Sequence, residues 1–84
     1  MTKAEEDVLA ERAKQRTRWD DHHDDTVEGD SNLAVASAFL AHPDPDPFEA
    51  PTWAGSIKAR KDRRHQLVCA AALAIAEIDR MDRR

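Results

Sequence analysis

With a single cysteine, Cys69, the chain has no disulfide to form within itself. A lone thiol suits a reducing compartment. Long apolar runs are missing as well. The longest, residues 67–76, is about half the roughly 20 residues a membrane span needs. Residues 1–12 are charged throughout and hold no apolar stretch of the signal-peptide kind, so a cytoplasmic location is expected. Glycine is scarce, and no Gly-rich phosphate loop, serine elbow or Glu-x-x-Glu helix motif occurs. The last absence weakens a reading as an all-α nucleotide pyrophosphohydrolase, whose metal sits on helical carboxylates. There are no internal repeats and no strand-like alternation.

What is present is alanine and charge. The chain has 84 residues and is 40% apolar, much of that alanine. A domain of this size buries only about 60% of the surface its unfolded chain exposes. At roughly 25 cal/mol per Å² of apolar surface, such a core barely offsets chain entropy. Self-association is the expected remedy, giving one helical domain over residues 1–84 that works as a homo-oligomer. The net charge is −4. Glu5, Glu6, Asp7, Glu11, Asp20, Asp21, Asp24, Asp25, Glu28 and Asp30 make the first third acidic, whereas Lys58, Arg60, Lys61, Arg63, Arg64, Arg80, Arg83 and Arg84 make the last third basic. The two ends can attract one another, or the basic end can hold a ligand. Duplex nucleic acid is excluded as a partner, because it demands a larger basic face.

The pattern predicts an all-α fold of three helices. Helix one begins near Thr2, where Thr2-Lys3-Ala4-Glu5 forms a capping box. Acidic residues fill its first turns and basic ones its last, matching the macrodipole. Asp20 to Asp30 reads as a polar loop. Helix two restarts at Asp30 or Ser31 and ends at about His42, since the residue before Pro43 is pushed out of the α region. Pro43, Pro45, Pro47 and Pro51 then hold an extended connection of some fifteen residues, pinned by Phe48 and Trp53. Helix three runs from about Lys58 or Arg60 to Asp82, antiparallel to helix one. Leu67, Ala71, Ala74, Ile78 and Met81 form one stripe on it; Val68, Ala72, Ile75 and Asp79 form its neighbour. A segment apolar all round must be covered on several sides, which again argues for a subunit interface.

Three clusters carry chemistry. Trp19-Asp20-Asp21-His22-His23-Asp24-Asp25 offers carboxylates and imidazoles, but its spacing matches no metal-binding motif, and no metal or cofactor is expected. It reads as a solvated acidic turn or a polar ligand site. Arg60, Lys61, Arg63 and Arg64 open helix three, where arginines and free N–H groups can hold a phosphate. Trp19 and Trp53 can anchor the core or stack on a base. Cys69, among alanines, reads as a small buried residue.

Two stretches resemble a widespread family of small phage and prophage proteins. Glu11-Arg12, Gln15, Trp19 and His23-Asp24-Asp25 are similar to that family's E-R-x-x-Q…W-x-x-x-H-D-D. The run from Arg63-Arg64 through Leu67-Val68 and Ala70-Ala71-Ala72-Leu73 to Ala76-Glu77-Ile78-Asp79-Arg80 and Asp82-Arg83 matches its second stretch. Pro51 and Trp53 resemble the segment between. Gly29-Asp30-Ser31-Asn32-Leu33 departs from the family's G-E-L by an insertion, and an aromatic near Phe39 is shifted. The resemblance implies phage origin, hence host-cell cytoplasm, and one compact helical domain; it implies no chemistry.

The functional expectation is a non-catalytic oligomeric sponge that sequesters a nucleotide-derived host immune signal. Its ligand-binding residues would be Trp19, His23, Asp24, Asp25, Trp53, Arg63 and Arg64, with no catalytic residue. An anti-defence inhibitor acting on a host protein is the alternative. A metal-dependent nucleotide hydrolase using the Asp/His loop is the second.

Overall fold

The computed structural model describes residues 1–18 and 27–83, and the side chains of residues 1–17 and 33–83. Among these the chain is helical with no strand. The elements are α1 (Lys3–Arg18), α2 (Val27–Ala41), α3 (Thr52–Arg60) and α4 (Arg63–Asp82). No helix among the described residues is long and apolar enough to cross a membrane.

The capping box forms as the sequence predicts. Thr2 N–H donates to Glu5 Oε1 at 2.8 Å, and Glu5 N–H donates to Thr2 Oγ1 at 3.1 Å. The Thr2 N–H, and after it the Thr2 hydroxyl, hold the Glu5 carboxyl below the ordinary carboxylate range.

The expected third helix is two helices. α3 lies inside the stretch read as extended connection, starting directly after Pro51, whose φ of −56° suits a helix entrance. Its sequence, TWAGSIKAR, has modest intrinsic propensity, so packing must hold it. Ala54 is fully buried, and Trp53 and Ile57 pack against the core. α4 then begins anew, because the Asp62 carboxylate accepts from His65 N–H at 2.8 Å as an N-cap. The buried Gln66 amide closes the other side of the break, donating to Lys58 O at 3.0 Å and Lys61 O at 2.8 Å.

Leu33, Ala36, Phe39 and Leu40 of α2, Ala54 of α3, and Cys69, Ala70, Leu73 and Ala76 of α4 form one core. The facing alanines let α2 and α4 approach closely, and Ser37 Oγ donates to Ala70 O at 2.8 Å. Ser37 meets Ala70 while the end of α2 meets Arg63, so these two helices are antiparallel. Phe48 caps the core from the proline segment, edge-on to Phe39 at 5.8 Å.

α1 contributes nothing to that cluster. Among its described side chains the buried ones are Arg12 and Gln15, each 6% exposed. Arg12 reaches Asp79 at 3.3 Å, and Asp7 meets Arg64 at 2.9 Å. Early α1 therefore lies beside early α4, and the two run in the same sense, which overturns the antiparallel expectation. Charge pairing sets the direction: the acidic first turns of α1 seek the cations that open α4.

The body measures 33 × 33 × 18 Å, about two helix layers deep. Two layers cover one side of α4. Its outer stripe stays open: Leu67 is 45% exposed, Ile78 56% and Met81 57%. The stripe that the sequence marks for coverage is thus bare within the single chain.

Candidate functional site

Lys58 and Arg63 converge on the C-terminal end of α2. Lys58 Nζ donates to Phe39 O at 2.5 Å and His42 O at 2.8 Å, and sits 4.7 Å over the Phe39 ring. Arg63 Nη1 donates to Leu40 O and His42 O at 3.1 Å each, and its Nη2 to Ala41 O. The last carbonyls of a helix lack intrahelical donors and carry the negative end of its dipole, so two cations there are well used. Burial, then the neighbouring Arg63 charge, pushes the Lys58 ammonium below its ordinary range, against a smaller opposing pull from Asp44 and Asp46.

A cleft of about 270 Å³ separates α1 from the start of α4. Asp7, Glu11 and Lys14 line one side, and Asp62, Arg64 and His65 the other. Arg64 Nη1 donates to Asp7 Oδ2 at 2.9 Å, and Lys3 Nζ donates to the same oxygen at 3.1 Å. First Arg64 and then Lys3 hold the Asp7 carboxyl below the ordinary range. Glu11 and His65 of this cleft come together with Cys69, which lies outside its lining, their ligand atoms all within 4.8 Å of one another. His65 and Cys69 stand four apart on α4 and so share a face. Glu11 and His65 are half-buried, and Cys69 is 3% exposed.

Of the ligand residues read from the sequence, Trp19, His23, Asp24 and Asp25 lie outside the described residues. So does the turn expected to meet Arg60, Arg63 and Arg64. Trp53 is half-buried against the core. Arg63 is turned to the end of α2, while Arg64 lines the cleft paired to Asp7. Sequence reasoning passed over Lys14, His65 and Cys69 as a group. The i, i+4 spacing of His65 and Cys69 was the available signal; that Glu11 joins them depends on how α1 docks.

No protein-family model, curated protein or solved structure matches the chain.

Proposed function

We propose that the chain is a non-catalytic binding protein acting as a homodimer, two copies pairing α4 against α4 through their outer stripes. The observation that carries this is the row Leu67, Ala71, Ala74, Ile78 and Met81. Its spacing of four, three, four and three is a heptad seam, and its large members are about half exposed. An antiparallel pair sets Leu67 opposite Ile78 of the partner subunit, with the small Ala71 and Ala74 allowing close approach at the centre. That arrangement also places Asp82 of each copy beside the arginines opening the other's α4, whereas a parallel pair would stack Arg64 on Arg64. One patch meeting itself across a two-fold axis closes the assembly.

Sedimentation velocity at micromolar concentration tests the pairing. The wild type should sediment as a dimer, and Leu67→Glu or Ile78→Glu as a monomer with unchanged helical circular dichroism, since both positions face outward. A monomeric wild type would overturn it.

A nucleotide-derived ligand, as in a phage sponge against host immune signals, is the second reading, favoured by Lys14, Arg64 and His65 around the cleft. Trp19, His23, Asp24 and Asp25 would then supply stacking and hydroxyl contacts, with Arg64 on phosphate; Arg63, spent on the end of α2, and Trp53, packed on the core, drop out of the expected set. Calorimetric titration of cyclic dinucleotides and ADP-ribose should show binding that Arg64→Ala weakens roughly ten- to a hundredfold. Absence of heat with all of them would leave a protein partner as the ligand of the dimer.

A further inference from the structure

We propose that Glu11, His65 and Cys69 form a binding site for a divalent transition-metal ion, zinc being the best fit, between α1 and α4. Three chemically different ligand atoms from two helices lie within 4.8 Å of one another. A tetrahedral zinc ion holds sulfur at about 2.3 Å and nitrogen or oxygen at about 2.0–2.1 Å, so its ligands stand roughly 3.3–3.6 Å apart. Closing the gap takes about 1 Å of side-chain movement, within reach of small torsional changes.

The donor set selects the metal class. Thiolate and imidazole favour zinc and its soft or borderline neighbours over magnesium or calcium, which take oxygen. Charge balances as well: one thiolate and one carboxylate neutralise a dication, so little net charge is placed beside the core. Cys69 gives up its thiol proton to solvent on binding, and His65 binds as neutral imidazole. Metal and protons therefore compete for the same atoms.

Glu11 and His65 both line the cleft, so the fourth coordination position opens toward its 270 Å³. Water or a small anion can complete the shell there, with Lys14 and Arg64 nearby. The Gln15 amide oxygen, one turn beyond Glu11 on the same face of α1, is buried without a hydrogen-bond partner among the described residues. A polar atom left in that state marks this stretch of the α1–α4 seam as not optimised for the chain alone. The site also joins α4 to α1, the one helix with no residue in the core cluster among the described residues, where a cross-link has most to add to a small scaffold.

The test is cobalt titration of the reduced full chain under anaerobic conditions, followed by displacement with zinc. Cobalt should bind one per chain with thiolate-to-metal charge-transfer absorption and tetrahedral visible bands, and zinc should abolish both. Zinc should also raise Tm by about 10 °C or more at roughly a hundredfold excess over Kd. Cys69→Ser should lose the charge-transfer band. Because Cys69 is buried and that variant can misfold, His65→Gln and Glu11→Gln at half-exposed positions provide the second arm. Each should weaken cobalt binding at least tenfold with circular dichroism unchanged. Binding without thiolate absorption, binding unaltered in both of these variants, or no binding would overturn the proposal. None of these readouts depends on whether the chain dimerises.

Discussion

Single side chains do more structural work here than their exposure suggests. Lys58 supplies two hydrogen bonds to the end of α2, at Phe39 O and His42 O. Lys58→Met keeps the apolar stem and deletes the ammonium, leaving those carbonyls short of donors. The loss should be about 1.5–3 kcal/mol, read from urea denaturation. An unchanged midpoint would mean that water replaces the ammonium without cost. Residues such as these were only half legible in the sequence. Thr2 and Glu5 could be paired in advance because their partners stand three apart. Arg63 could be recognised as a helix-opening cation, but its acceptors lie 21 to 23 positions earlier, on an element whose placement depends on the whole fold.

At the scale of elements, α4 shows what an alanine-rich run conceals. Leu67 and Leu73 sit in the same apolar segment, yet one is 45% exposed and the other 1%. Leu73→Ala should cost about 2–5 kcal/mol through lost burial and a cavity, while Leu67→Ala should leave the stability of the monomeric fold nearly unchanged. Thermal unfolding of both, in the Ile78→Glu background, separates the faces. The face that reaches the core, Cys69, Ala70, Leu73 and Ala76, belongs to neither of the two stripes read from the sequence, because in an alanine-rich run small residues tolerate either environment. The existence of α2 and α4 and the end of α2 before Pro43 were legible from pattern and proline chemistry. α3 was not, because its Gly55 and Ser56 resemble linker and its stability comes from Ala54, Trp53 and Ile57 finding the core. The Asp62 cap, which separates α3 from α4, did not enter the sequence reading, which ran one helix across it. α2 also starts at Val27, ahead of the Asp30 or Ser31 read from the sequence.

The molecule as a whole divides into a core shared by α2, α3 and α4, and α1, which meets α4 through the ion pairs Asp7–Arg64 and Arg12–Asp79. Asp7 titrates below its ordinary range because Arg64 and Lys3 stabilise the carboxylate. Its contribution is therefore complete above about pH 4 and is lost as pH falls through the lowered native value. Hydrogen exchange near pH 7 should show α1 less protected than α4. Exchange at about pH 3, corrected for intrinsic rates, should show α1 losing further protection first. Asp7→Asn should show that weakened α1 protection already at neutral pH. Equal protection of both helices across this range would mean that α1 is held by something other than these ion pairs.

The cations that finish α2 also impose an order on synthesis. Chain growth delivers Phe39 to His42 well before Lys58 and Arg63, so the nascent segment leaves the ribosome with its terminal carbonyls exposed to water. The alanine face of α2 likewise has no surface to settle on until Ala70, Leu73 and Ala76 have emerged. The domain therefore folds after nearly all of these 84 residues are free of the exit tunnel.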